Sequence, residues 1–412
     1  MYWITYMLVC AMAAWAFFLL YRQGLAASLT PILASMVLLL AAFGIRLWFL
    51  DTTTLDYEWF LSPWVEHFRY HGGFTGLGIP VGNYNVPYLY FLAGFSYIPI
   101  PDLHLIKLLS FFFDVLLAYY VMKTVSIYTE NKNRQRIAFF AVLFLPTVFL
   151  NSAYWGQCES IYAAFAVMSF YCAMKDKPIL SMAALALALT FKLQVVFLFP
   201  LFLVFLFTKK IRLRHLPVFP AVYILSILPA VIAGQPFWDT LLFYIGRGGN
   251  PGLNYNSPSV FAFNRGPNYN DTLAMIGIIA AFALVVLVYL SVFLRHKRRA
   301  ISNEDYLVLA LIFVVGVPFL LPHMHDRYFY LADIFAVALG LSHLRFLAVI
   351  PLTQLASLIS YHIYLHWFAA PQLSLPLIGF DTRVGAAALC VVLVGLAAGF
   401  VWKPKGQESA EG

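Results

Sequence analysis

Charge is scarce in this chain. Only 11% of its 412 residues are Asp, Glu, Lys or Arg, against about 25% in an ordinary globular domain. With 62% hydrophobic residues and a mean hydropathy of +0.82, the chain cannot cover a water-facing surface, so a soluble enzyme, a coiled coil and a disordered tail are excluded. Cysteine is sparse too. Cys10, Cys158, Cys172 and Cys390 are scattered, which excludes a disulfide scaffold or a thiolate metal spacing. Strand-like alternation of polar and apolar residues is missing, and with it a porin-type barrel. There is no Asp-x-Asp motif, no soluble Rossmann unit, no phosphate-cradling glycine loop and no internal repeat.

What is present is a series of apolar runs. They fall at about 2–21, 29–50, 103–122, 137–150, 153–174, 179–193, 194–208, 216–233, 272–294, 305–321, 328–345, 346–369 and 384–402. A helix needs about 20 residues to cross a bilayer, and several runs are shorter than that. The pair 179–193 and 194–208 reads as one long helix or a broken hairpin. The fold class is therefore an all-α polytopic membrane protein with eleven to thirteen spans, thirteen preferred. No basic segment precedes the first run, which reads as an uncleaved helix.

The net charge of +8 marks orientation. Assigned to alternate loops over thirteen spans, one side carries 18 basic and 6 acidic residues, or +12; everything else carries 8 basic and 12 acidic, or −4. By the positive-inside rule the first side is cytoplasmic, with the N-terminus outside and the C-terminus inside. Nothing in this distribution calls for a nucleic-acid partner. The chain then divides into one transmembrane domain, 1–412, with a first outer loop at 51–101, a second at 234–271 and a short cytoplasmic tail at 403–412.

Unusual polar content collects on the outer side: loop 51–101, the corner Asn151–Glu159, the break around Lys192 and Gln194, loop 234–271 and the turn Pro322–Arg327. In the first loop, Trp59, Phe60, Trp64 and Phe68 recur at helical spacing among Asp56, Glu58, Glu66 and Arg69, as in an amphipathic interfacial helix. Asp56, near its start, reads as a helix cap or as a catalytic acid. The glycines at 72–82 read as a flexible loop before Tyr84 and Asn85. Trp155, Gln157 and Glu159 open a helix from the outer side, and a carboxylate at Glu159 needs a partner, a proton or a function. Lys192 reads as snorkelling to the headgroups or as binding a lipid phosphate. His323, His325, Asp326 and Arg327 stand within five residues. That is poor spacing for a metal without a third ligand, and better suited to contacting phosphate or sugar. Asp114, inside a span, reads as a helix–helix contact.

Several of these patches resemble one family. Asp56-Tyr57-Glu58 resembles the Gly-Asp-Tyr-Glu segment of the dolichyl-phosphate-glucose glucosyltransferases of the N-glycan pathway. Asn85-Val86-Pro87-Tyr88 is similar to their Tyr-Pro-Pro-Leu stretch, and His323–Arg327 to their His-Val-His-Glu-Lys. The runs Trp155–Ser160 and Leu321–Tyr330 resemble bacterial membrane glycosyltransferases of the same GT-C superfamily. The departures are Thr53-Thr54-Leu55 in place of a glycine before Asp56, and the single Pro87.

The resemblance implies a GT-C-like bundle whose first outer loop carries the catalytic Asp. It implies an inverting hexosyltransferase, a mannosyl- or glucosyltransferase of cell-envelope glycan synthesis. The sugar would come from a polyprenyl-phosphate donor and go to a glycan or lipid-linked acceptor, with membrane lipids as surroundings. Carried over by position, Asp56 is the general base. His325 and Arg327 lie near donor phosphate and sugar, with His323 in the same segment and Asp326 in place of the family's Glu. Lys192 is a looser match to a basic residue at the lipid phosphate. No cofactor or metal is implied, and the setting is a bacterial cytoplasmic membrane with the site on the outer face. The alternatives are a transporter or flippase of lipid-linked saccharides, and a polymerase or ligase using polyprenyl-diphosphate donors. The flippase reading expects inverted repeats and mid-membrane charges.

Overall fold

In the computed structural model, residues 2–245, 252–297, 300–368 and 381–401 are described. Arg247, Arg298, Arg299, positions 246–251 of the second long loop and the tail 403–412 lie outside them. The chain runs α1 (Tyr2–Arg22), α2 (Leu29–Trp48), α3 (Ser62–Tyr70), α4 (Val86–Phe95), α5 (Asp102–Val125), α6 (Lys132–Phe144) and α7 (Pro146–Phe149). It continues through α8 (Glu159–Met174), α9 (Pro178–Phe191), α10 (Phe199–Phe207), α11 (Val218–Ile232) and α12 (Phe237–Leu241). The last helices are α13 (Asp271–His296), α14 (Asn303–Leu320), α15 (Tyr330–Ser342), α16 (Val349–Phe368) and α17 (Thr382–Val401). Two short strands, β1 (Asn254–Tyr255) and β2 (Met324–His325), pair in parallel.

This is a multi-pass, almost entirely helical membrane protein. Eight helices among the described residues are long and apolar enough to cross a bilayer, or nine if the bent pair Lys132–Phe144 and Pro146–Trp155 counts as one span. Each of the thirteen apolar runs is helical, but four of them form helices of fewer than 18 residues: α8, α9, Leu193–Phe207 and α15. A helix satisfies its own backbone, which is why lipid admits it.

Burial separates the bundle into centre and rim. In α14, 78% of the most apolar window is buried, and in α5 72%; in the neighbouring α13 the figure is 11%. Hydropathy alone would order them the other way, since α13 is the most apolar of the set. Lipid takes the most hydrophobic helix, and the protein interior takes helices that carry polar groups to be paired. One such pair crosses the centre. Arg46 of α2 donates from Nε and Nη2 to Asp114 Oδ2 of α5 at 3.0 and 2.8 Å, and Ser152 Oγ donates to the same oxygen at 2.7 Å. Asp114 is thus the helix–helix contact expected of it.

Two breaks shape the face that bears Asp56. Leu145, ahead of Pro146, is extended, and the span bends there by 43°, because the residue before a proline avoids the helical region. The 179–208 block breaks at Lys192, whose backbone is extended (φ −151°, ψ 139°), and resumes as a tight turn at Leu193–Leu198. Open backbone at this depth is tolerated only inside protein, and Lys192 is buried.

The first long loop is built, not loose. It holds α3, a turn at Gly73–Gly78 and the largely buried α4, an apolar helix outside the thirteen runs. Its glycines permit close approach: an added Cβ would lie 2.0 Å from the Tyr97 phenol at Gly73 and 2.5 Å from the Trp64 indole at Gly82. Both positions also have φ near +70°. The expected amphipathic helix is divided. Trp64 and Phe68 pack inward while Trp59 and Phe60 stay exposed, because a wide turn at Tyr57–Leu61 shifts the helical phase ahead of Ser62.

Candidate functional site

Two wide helical turns bring the site together. One, Tyr57–Leu61, follows Asp56; the other, Leu150–Trp155, ends on Trp155. Such turns insert a residue into the helical count and re-aim side chains, and they recur at functional sites. The second closes on Gly156 (φ +75°), a conformation that favours glycine. Its geometry is locked by Asn151, whose carbonyl accepts from Gln157 N at 2.9 Å and whose Nδ2 donates to the Tyr361 phenol at 3.3 Å.

The carboxylate of Asp56 lies at the middle. Trp155 Nε1 and Gln157 Nε2 donate to its Oδ2 at 2.8 and 2.6 Å, and the Tyr364 phenol donates to Oδ1 at 2.7 Å. Asp56 has helical backbone angles and makes no side-chain cap bond, so the capping reading falls. Gln157 is oriented in turn by the Tyr84 phenol, which donates to its Oε1 at 2.9 Å. Trp155 is clamped by Tyr364, stacked at 4.3 Å, and by Tyr361, edge-on at 5.3 Å.

Arg327 reaches this cluster from the turn before α15. Its nitrogens lie 3.5 Å from Asp56 Oδ2, 3.8 Å from Glu159 Oε1 and 3.7 Å from Asp326 Oδ1. Its guanidinium sits 4.8 Å from the centre of the Trp155 ring. One terminal nitrogen, Nη1, is buried and closes no hydrogen bond, and the same holds for Glu159 Oε2. Lys192 donates to Glu159 and stands 5.1 Å over the Tyr84 ring. The snorkelling reading therefore falls, and Glu159 has its basic partner. Three carboxylates share two cations.

Access divides these groups. The side chains of Asp56 and Arg327 are 18% and 22% exposed, those of Glu159 and Lys192 3% and 7%. The first pair is reachable from solvent; the second forms the wall behind it. Burial raises Asp326 to about 7, with Arg327 opposing and Asp56 and Glu159 adding to the rise. Burial works against charge on Arg327, but Glu159, Tyr84, Asp326 and Asp56 together hold its pKa above the usual guanidinium range. Burial also pushes the Tyr84 phenol upward and keeps it neutral.

The other expected residues are elsewhere. His325 stacks on Tyr255 at 4.7 Å, and burial, with Arg327 beside it, lowers it to about 4. The two strands thereby tie the second long loop to the Arg327 turn. His323 Nδ1 faces the Gly252 carbonyl at 2.8 Å and belongs to that tie. Asn85 caps α4 and its Nδ2 meets the Tyr223 phenol at 3.4 Å. Glu58 points to solvent, and Gln194 is half-buried outside the cluster. Among the described residues no three His, Cys, Asp or Glu side chains are placed to hold a metal ion. Tyr364 was missed by motif reasoning; its signal was weak, two tyrosines three apart (Tyr361 and Tyr364) on one face of an apolar run.

These features define a class, a multi-pass helical membrane protein with a partly exposed cluster of charged side chains around Asp56. Compared with protein-family models and with curated proteins, the chain matches none.

Proposed function

We propose that the protein is an integral-membrane glycosyltransferase of GT-C type. On this reading it transfers a hexose from a polyprenyl-phosphate donor to a glycan or lipid-linked acceptor, with inversion. The observation that carries this reading is the solvent-reachable pairing of Asp56 with Arg327. The carboxylate is held by three neutral donors, and the arginine is neutralised by no single partner.

Asp56 takes the proton of the acceptor hydroxyl as its oxygen attacks the anomeric carbon from the face opposite the phosphate. The bond from that carbon to the phosphate oxygen breaks, and the phosphate leaves with the electron pair. Arg327 stabilises the charge that develops there, a role suited to a planar, partly exposed donor shared among several carboxylates. Trp155, Gln157 and Tyr364 aim Asp56. Lys192 acts on Arg327 through Glu159, because it is itself closed to solvent.

On this reading the eight or nine long spans and the four shorter helices together make up the thirteen crossings assumed in the charge count. That count puts the Asp56 face outside, and the setting is a bacterial cytoplasmic membrane.

The test is purified protein in nanodiscs with a panel of polyprenyl-phosphate hexoses and candidate acceptor glycans, the product read by mass spectrometry. Transfer by the wild type that vanishes in Asp56→Asn, with folding intact, is the expected result. Saccharide movement without a new bond supports the flippase instead. Transfer from diphosphate donors alone supports the polymerase or ligase.

A further inference from the structure

Lys107 touches none of the charged groups around Asp56, yet it lies beside both halves of the chain that build that cluster. It stands in the second turn of α5, and its side chain is fully buried. A cation inside a spanning helix is costly and is paired or put to use. Here its partners are backbone oxygens. Nζ donates to the carbonyls of Phe49, Leu50 and Thr52 at 2.6, 3.1 and 2.7 Å, so three hydrogens meet three acceptors. Asp51, the acid of the same segment, lies instead against His104 Nε2 at 2.8 Å.

These carbonyls belong to the chain just past the end of α2 at Trp48, where helical backbone partners run out. Asp56 follows four residues after Thr52. The stem of the lysine meets the corner that supplies donors to Asp56: a Cβ added at Gly156 would lie 3.8 Å from Lys107 Cε. One turn further along α5, Ser110 Oγ donates to the Gln157 carbonyl at 2.7 Å. From the Asp56 side, Thr54 Oγ1 donates to the Trp155 carbonyl at 3.1 Å. The segment leading into Asp56 and the Trp155–Gln157 corner thus rest on one face of α5. A hydroxyl holds one carbonyl and an amide two; an ammonium holds three at once, which fixes where the segment lies. The bonds from Trp155 Nε1 and Gln157 Nε2 to Asp56 are 2.8 and 2.6 Å long, and a displacement of about 1 Å would break them.

We infer that Lys107 is a positioning residue for Asp56: by gathering the Phe49, Leu50 and Thr52 carbonyls beside the Gly156 corner, it sets the carboxylate in register with Trp155 and Gln157. Its effect on that register is independent of any activity. Its effect on rate rests on the reading of Asp56 as the base.

The test is the indole N–H resonance of Trp155 in the full chain in detergent with isotope-labelled tryptophan, assigned by its loss in Trp155→Phe. Asp56→Ala removes the acceptor and marks where the released indole resonates. Lys107→Met should move the wild-type resonance at least about half of the way to that mark, while far-ultraviolet circular dichroism keeps its helical amplitude. In the transfer assay kcat should fall about tenfold or more, the scale of a misplaced reacting group, with donor KM unchanged. An unmoved resonance in folded Lys107→Met overturns the inference even where Tm falls, because the lysine then only closes the end of α2. A wild-type kcat in that variant overturns it too. Where Lys107→Met does not fold, Lys107→Gln, which reaches fewer of the carbonyls, takes its place; failure of both to fold overturns the inference equally. A wild type that transfers no sugar ends the reading of Asp56 and leaves the indole resonance to decide Lys107 alone.

Discussion

Asp56 and Asp114 are both carboxylates beside an arginine, yet the two sites have opposite characters. At Asp114, one arginine gives two direct bonds to a single oxygen, its remaining Nη1 is spent on the Ala42 and Leu143 carbonyls, and both side chains are almost wholly buried. At Asp56, neutral donors supply the short bonds, while Arg327 stands off at 3.5 Å and is divided among three carboxylates. With the arginine spent and both side chains buried, that pair offers a ligand no reachable donor. A shared arginine near solvent can exchange a distant carboxylate for a phosphate without losing its place. Commitment of the arginine, more than its proximity, separates a structural ion pair from one able to take a ligand.

The largest expected effect falls on turnover. Asp56→Asn should lower sugar transfer about 10³-fold, within the range for a lost general base, while Tm moves little because Trp155 and Tyr364 keep their packing. Asp114→Ala should do the reverse. It strands Arg46 in the bundle at a cost of about 3–5 kcal/mol, read as a fall in Tm or a failure to extract folded protein. If the two variants behave alike, the two carboxylates do not differ in character.

Arg327→Lys tests the sharing. A point charge cannot span three carboxylates as a planar fork does, so kcat/KM for donor should fall by roughly thirtyfold, with little change in Tm. Tyr364→Phe removes one hydrogen bond from Oδ1. A loss of about tenfold in kcat is expected, corresponding to roughly 1.4 kcal/mol, with the donor KM unchanged.

The smallest effect is on the pH dependence of stability. The folded protein holds Asp326 protonated up to about 7, whereas the unfolded chain releases that proton near 3.8. Between these values the folded state binds more protons, so this residue's contribution falls as pH rises and is constant above about 7. Asp326→Asn should remove that decline. His325 acts in the other direction. Lowered to about 4 from 6.5, it leaves the unfolded chain binding more protons in that window, and stability there rises with pH. Denaturant unfolding of the two variants across pH 4–8 separates the opposing slopes.

Much of the arrangement is legible in the sequence. Asp56, Trp155, Gln157, Glu159, Lys192 and Arg327 all stood in polar segments on one side of the charge count, and all meet in one cluster. Glu58, Asn85, Gln194 and His323 stood in the same segments and do not join it. The reason is rotational. A polar residue near the end of a span is visible in a window average, but the side of the backbone it leaves from depends on local winding. Here two wide turns and an extended lysine change that winding. Tyr364 was hidden for the complementary reason: in an apolar run a tyrosine reads as interfacial packing until a carboxylate arrives from another part of the chain.

Sequence alone determined the solvent of this protein, its helical class and the position of each apolar run, because hydropathy acts residue by residue and lipid forces every spanning backbone into helices. Only the tertiary structure decided that the most apolar helix faces outward and that Arg46 closes on Asp114 while Arg327 remains divided. Those outcomes depend on how helices rotate and cross against one another, and packing of that kind is a property of pairs of segments.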